Sequence, residues 1–152
     1  MRLFIARHAE AGFDAPTDRL RPITENGSAQ TSSLVERYLP ELTSVPRIWC
    51  SDLLRARQTA EIFSRIVDTP LDVKPFLSPD KDPQLVLRKL SDHDSEEDLL
   101  IVSHQPLVGS LVSLLCAGHI YEAHPFVTSE IVVLETDIIG SGLATLVSAW
   151  RP

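Results

Sequence analysis

The sequence predicts an α/β fold, a three-layer sandwich around a central mixed, mostly parallel sheet with no cap domain. Three observations carry this. Short apolar runs alternate with helix-patterned stretches through most of the chain, which is the signature of successive βα units. Two β-rich runs, 130–135 and 143–150, then close the chain around Gly140-Ser141-Gly142, a composition that suits a hairpin and adds antiparallel strands. About two dozen residues separate the third and fourth strands, too few for a substantial lid.

The elements follow in order. Leu3-Phe4-Ile5-Ala6 forms the apolar centre of a strand over Arg2–Arg7, and a loop rich in Asp, Pro and Gly runs from 9 to 22. Thr24 is a good N-cap for a helix to about Leu39. Glu25 suits its first turn, Leu34, Val35 and Tyr38 give it an apolar stripe, and Pro40 stops it. Arg47-Ile48-Trp49-Cys50 reads as the second strand. Ser51 or Asp52 is expected to cap the next helix, which reaches about Val67 on Leu54, Ala60, Ile62, Phe63 and Ile66. A short strand over 71–74 precedes the Pro-rich stretch 75–83, and Leu85, Val86, Leu87 and Leu90 mark another helix. The acidic run 92–98 reads as a solvated loop whose charges lack obvious partners. Residues 98–103 are the most uniformly apolar strand. Pro106 fits the first position of a helix that runs to about Cys116 and stops at Gly118.

A chain of 152 residues fits one domain, 1–152, around one core. No apolar stretch is long enough to span a membrane, and the apolar start is too short for a signal peptide. A cytoplasmic monomer is the expectation. The net charge of −7 argues against nucleic acid, whose phosphates are bound by clustered Lys and Arg. On such an acidic body, arginines that converge in one place would form a cationic island. Cys50 and Cys116 each lie inside an apolar element and read as buried free thiols. No Cys/His spacing suggests zinc, and no metal or other cofactor is expected.

Three strand-to-helix junctions carry reactive residues: Arg7-His8 after the first strand, Arg55 in the first turn after the second, and Ser103-His104 after the fourth. If those strands are parallel, the junctions share one sheet edge, where open α/β sheets bind ligands. Arg21 reaches in from the first loop. A histidine there can attack phosphorus, and guanidinium groups can hold phosphoryl oxygens through paired hydrogen bonds.

At these residues the sequence resembles the histidine phosphatase superfamily, and within it the SixA-type phosphohistidine phosphatases. Arg7-His8-Ala9 resembles the superfamily's Arg-His-Gly signature. Arg21-Pro22-Ile23-Thr24, followed by Asn26-Gly27, resembles its Arg-Pro-Leu-Thr-x-x-Gly segment. Ser51-Asp52-Leu53-Leu54-Arg55-Ala56, with Gln58-Thr59, resembles its Ser-x-x-x-Arg-Ala-x-Gln-Thr helix start. Val102-Ser103-His104-Gln105-Pro106-Leu107-Val108-Gly109 resembles its second histidine motif. The resemblance covers about residues 1–135 in the same order. It implies a phosphoglycerate mutase-like fold. It also implies a cofactor-independent phosphatase in which His8 becomes phosphorylated while Arg7, Arg21, Arg55 and His104 hold the phosphoryl group.

Two departures bear on substrate. Ala9 replaces the usual glycine, and no acid stands in Lys74-Pro75-Phe76-Leu77-Ser78-Pro79-Asp80 where many members carry a proton donor. An alkoxide leaving group needs that proton, whereas an imidazole, with a pKa of roughly 6.5, departs with little help. The expected substrate is therefore phosphohistidine on a protein such as a histidine phosphotransfer domain. Glu10, Asp14, Asp18 and Asp80 remain alternative acids. The competing functions are a small-molecule phosphomonoesterase using the same pocket and a non-catalytic phosphate-binding regulatory module.

Other residues have plainer readings. Asp18 either orients Arg21 or is solvated, Arg57 faces solvent or pairs with an acid, and Ser51 is a cap and not a nucleophile. His93 is expected in solvent, and His119 and His124 lack ligand spacing. Trp49 and Trp150 suit strand packing.

Overall fold

The strands are β1 (Arg2–Arg7), β2 (Ile48–Cys50), β3 (Leu71–Val73), β4 (Leu99–Ser103), β5 (Ile131–Glu135) and β6 (Thr145–Trp150). The helices are α1 (Glu25–Arg37), α2 (Leu39–Leu42), α3 (Leu54–Val67), α4 (Pro83–Ser91) and α5 (Leu107–Ala117). They belong to a computed structural model that describes residues 1–93 and 96–152. The six strands form one sheet in the order β3-β2-β4-β1-β5-β6. β3, β2, β4 and β1 are mutually parallel, and β5 and β6 add two antiparallel pairings. This is the expected mixed, mostly parallel sheet, and no additional cap is present among the described residues.

Side-chain alternation along the strands builds two cores, one on each face. Leu3, Ile5, Leu99, Ile101, Val132 and Leu134 point to one side and pack beneath α4 and α5. Phe4, Ala6, Leu100, Val102, Ile131 and Val133 point to the other and pack against α1 and α3. The sheet is thus the middle of three layers. Trp150 closes the second core, stacked on Tyr38 with ring centroids 4.1 Å apart, and Trp49 lies 5% exposed in the first. Both tryptophans pack as strand residues.

Local chemistry departs from expectation at several ends. Thr24 does cap α1, accepting from the Gly27 N–H at 2.9 Å. Pro40 does not end helical structure; α1 stops at Arg37 and Pro40 sits in the first turn of α2, where a missing N–H costs nothing. Neither Ser51 nor Asp52 caps α3. Leu53 holds the N-cap position without a side-chain bond. Asp52 turns away to Arg19 and to the Ser78 hydroxyl. Asp82 caps α4 by accepting from the Gln84 N–H. Pro106 is the N-cap of α5, one residue before the expected place, and follows a cis peptide from Gln105. Gly118 ends α5 at φ 79°, where an L side chain is disfavoured.

Within the acidic run, Asp98 is not a free charge. It accepts from the Arg2 backbone N–H at 2.7 Å and pairs with the Arg2 guanidinium, fastening β1 beside β4. The solvated-loop reading for Asp94 and Ser95 lies outside the described residues. His93 is half-buried against the Trp49 ring at 4.9 Å, not solvated. Cys50 is a buried free thiol as expected, and Cys116 is free but only partly buried. No helix among the described residues is long and apolar enough to cross a membrane.

Candidate active site

The sheet order places β1 directly beside β4, with Arg7 in register with Ser103. The residues that follow each strand are therefore neighbours. The His8 N–H donates to the Ser103 carbonyl at 2.9 Å, and the His8 and His104 rings lie 5.0 Å apart, inclined by 53°. β2 flanks β4 on its other side, so α3 starts at the same edge and brings Arg55. His8, Arg55 and His104 are 8%, 6% and 1% exposed, a degree of burial unusual for such polar groups.

Each cation is held from outside the pocket. Arg7 Nη1 donates to the Phe126 carbonyl at 2.8 Å. Arg55 Nη1 donates to the Asp18 carbonyl at 2.8 Å. Arg21 Nε donates to the Gly12 carbonyl at 2.8 Å, and its guanidinium covers the Phe13 ring at 4.0 Å. The Asp18 carboxylate spans Arg21 and Arg55 at 3.2 Å each, so this aspartate orients both. Arg7 Nε, Arg55 Nε and both ring nitrogens of His104 remain buried without a partner. Buried polar atoms are nearly always satisfied, so four orphans around one histidine mark a place built for a hydrogen-bonding ligand that carries negative charge.

The protonation states follow from the surroundings. His8 Nδ1 lies 2.7 Å from the Ala9 carbonyl, which can only accept. Nδ1 therefore carries the proton, and Nε2 presents its lone pair. Burial lowers the pKa of His8 to about 4; the Ala9 contact opposes this, and the charges of Arg55, Arg7 and Arg21 reinforce it. Burial, with His8 and Arg55, takes His104 down to about 3. Both imidazoles are neutral at pH 7. Burial pushes the Asp18 carboxyl up, but the hydrogen bonds and charges of Arg21 and Arg55 together outweigh it and hold the group below the usual carboxylate range. It is ionised and has no proton to give.

All five residues singled out in the sequence, Arg7, His8, Arg21, Arg55 and His104, converge here. Arg57 is exposed and takes no part. Of the alternative acids, Glu10 is engaged by Thr24 and Asn26 at the start of α1, Asp14 is exposed, Asp80 is exposed beside Lys81, and Asp18 bonds the site arginines. The supporting contacts were missed. The Ala9 N–H donates to Thr59 Oγ1 at 2.9 Å, and that hydroxyl donates to the Arg55 carbonyl at 2.7 Å. Thr59 thus ties the His8 loop to α3. Gln58 accepts from the Ile23 N–H and steadies the loop that carries Arg21. The quoted Gln58-Thr59 motif was the available signal for both. His124, read only as lacking ligand spacing, is bonded to Glu130. No group of three His, Cys, Asp or Glu side chains among the described residues is arranged to hold a metal. A cavity of about 610 Å³ lined by Met1, His93, Asp137 and Ile139 lies at the opposite end of β1 and shares no residue with this site.

The model of the histidine phosphatase superfamily (branch 1) matches residues 3–78. The chain belongs to this superfamily. Among histidine phosphatase relatives, phosphohistidine phosphatase SixA of Escherichia coli (strain K12) is 36% identical over 147 residues, covering 93% of this chain and 89% of that protein. The SixA homolog of Haemophilus influenzae is 31% identical over 126 residues, covering 76% of this chain and 77% of that protein. A solved structure of the protein histidine phosphatase SixA complexed with tungstate superimposes with a TM-score of 0.90 at 34% identity, covering 100% of this chain and 97% of that one. The phosphoglycerate mutase-like architecture expected from the motifs is thereby shown over the full length of this histidine phosphatase.

Proposed function

We propose that this protein is a cofactor-independent phosphohistidine phosphatase that works through a phospho-His8 intermediate. The observation that carries the reading is the neutral His8 ring, fixed with its Nε2 lone pair free, 5.0 Å from His104. Burial lowers its basicity, and the charges of Arg55, Arg7 and Arg21 lower it further. A relative of the same fold is complexed with tungstate, a tetrahedral oxyanion, which supports phosphoryl chemistry for this chain.

In the first step His8 Nε2 forms a bond to phosphorus while the P–N bond of the substrate breaks; the substrate ring is protonated on its other nitrogen, so the electron pair returns to nitrogen and the imidazole departs neutral. Arg7, Arg21, Arg55 and His104 donate to the phosphoryl oxygens, where charge stabilisation does most of the work. The phosphorylated His8 ring is cationic, and its Nδ1–H still faces the Ala9 carbonyl. Water then attacks phosphorus, the P–Nε2 bond breaks with its pair returning to nitrogen, and both water protons leave with the product as dihydrogen phosphate.

Substrate class follows from the leaving group. Asp18 is ionised and committed to two arginines, so it is not poised to protonate an alkoxide. A phosphohistidine ring protonated on its other nitrogen leaves as neutral imidazole, whose conjugate acid has a pKa of roughly 6.5, and needs no such donor. Absence of a cap also leaves the pocket open to a histidine on another protein, such as a histidine phosphotransfer domain. In this reading the chain acts as a single-domain monomer in the cytoplasm.

The test offers a phosphorylated histidine phosphotransfer domain and follows loss of label. Rapid loss with wild-type protein and none with His8→Ala is expected. A stable P–N bond rejects the substrate class, and full turnover by His8→Ala rejects the mechanism. A panel of alkyl phosphates separates the phosphomonoesterase alternative, which requires useful rates on them.

A further inference from the structure

Glu130 is 0% exposed, carries a carboxylate, and takes no part in the chemistry above. A buried charge is costly unless it is paired and hydrogen-bonded. Here His124 Nε2 donates to it at 2.9 Å, the Val127 N–H at 2.8 Å, and Arg151 Nε lies 3.2 Å away. These bonds outweigh burial and hold the carboxyl below its usual pKa. Residues 124–130 consequently close on themselves around one anion.

That closed segment presents its outer polar groups to both histidine junctions. The Phe126 carbonyl receives Arg7 Nη1 at 2.8 Å, and the Glu130 carbonyl receives the Arg7 N–H at 3.0 Å. The Ser129 N–H donates to the His8 carbonyl at 3.2 Å, with Ser129 itself at φ 62°. At the other end, Gln105 Nε2 donates to the His124 carbonyl at 2.9 Å, next door to His104. Phe126 is 4% exposed in the core, so its carbonyl direction is set by the segment and not by solvent.

We infer that Glu130 is a positioning residue for Arg7: by folding 124–130 around its carboxylate it aims the Phe126 carbonyl that fixes the Arg7 guanidinium against the transferring phosphoryl group. It touches neither substrate nor the reacting atoms. The inference rests on the proposed role of Arg7 as a phosphoryl ligand. Small misplacement of such a group costs rate steeply, on the order of 10²-fold for 1 Å.

The test is a double-mutant cycle read by orthovanadate affinity and by kcat on an aryl phosphate. Arg7→Ala alone is expected to weaken vanadate binding; if it does not, the reading of the site fails and this inference with it. Glu130→Ala is expected to lower kcat by about tenfold and weaken vanadate binding, yet to add less than about twofold in an Arg7→Ala background. Glu130→Gln, which keeps an acceptor for Val127 and a polar partner for His124, is expected to recover most of the loss. Should Glu130→Ala fail to fold, His124→Ala removes one partner of the carboxylate and is expected to give a smaller loss that likewise vanishes without Arg7. Equal losses with and without Arg7, or no loss in a folded Glu130→Ala protein, overturn the inference while leaving the site reading intact.

Discussion

Arg55 grips Asp18 at two points, its Nη1 on the backbone carbonyl at 2.8 Å and its Nη2 on the carboxylate at 3.2 Å. Asp18 also bonds Arg21, so one exposed aspartate sets the spacing of two site cations. Asp18→Asn keeps an acceptor but cannot bridge two guanidiniums. We expect kcat/KM to fall about 5- to 10-fold, by the same factor across aryl phosphates of different leaving-group pKa. A general acid gives a loss that grows with leaving-group basicity. A steepening leaving-group plot would assign Asp18 that role instead.

The pH profile is a second check. In the proposed mechanism His8 attacks when neutral, and burial lowers its pKa to about 4. The acid limb of kcat/KM is expected near pH 4, well below the ordinary histidine value of about 6.5. A limb at 6 to 7 in the free enzyme, roughly that ordinary range, contradicts the buried neutral state.

Stability follows from the same shift. Between pH 6.5 and about 4 the unfolded chain protonates this histidine and the native chain does not. The unfolded state binds more protons, so native stability falls as pH falls through that window, by about 3 kcal/mol from His8. His104, lowered to about 3, adds in the same direction. Urea titrations at pH 7 and pH 4.5 should show a smaller acid loss for His8→Asn than for wild type.

Thr59 is a third target. Its Oγ1 accepts from the Ala9 N–H and donates to the Arg55 carbonyl, wholly buried. Thr59→Val preserves shape but leaves a buried N–H unpaired, at a cost of about 1–3 kcal/mol. Chemical denaturation should register that loss, and kcat should fall with it because the His8 loop loses its tie to α3. Unchanged stability would mean that Ala9 finds another acceptor.

Gly27 supplies the fourth. A Cβ there would meet the Glu10 backbone at 2.6 Å from its carbonyl oxygen and 2.9 Å from its nitrogen. Backbone cannot yield as a side-chain tip does. Gly27→Ala should push the loop after His8 off α1, costing about 1–3 kcal/mol and most of the activity. A folded, fully active Gly27→Ala protein would show the loop to be free of α1.

The architecture was legible because its signals are local and repeated. Apolar runs such as Leu99-Leu100-Ile101-Val102 have few alternatives to a central strand, and parallel order then forces Arg7-His8, Arg55 and His104 to one edge. The supports were harder to read. Asp52 looked like a cap in sequence but is drawn away by Arg19 and Ser78, partners distant along the chain. Glu130 opens the β-rich run 130–135, where nothing in the sequence marks its charge as buried. Only folding supplies His124 and Arg151, and only then is its burial tolerable. Hydrogen-bond partners chosen in three dimensions leave little trace in a pattern of polar and apolar letters.

β4 lies between β2 and β1, although it is made after both. A nascent chain lacking residues 99–104 cannot bring its imidazoles together, since His104 and the Ser103 carbonyl under His8 are still missing. The site therefore cannot assemble before the last parallel strand slots into the gap.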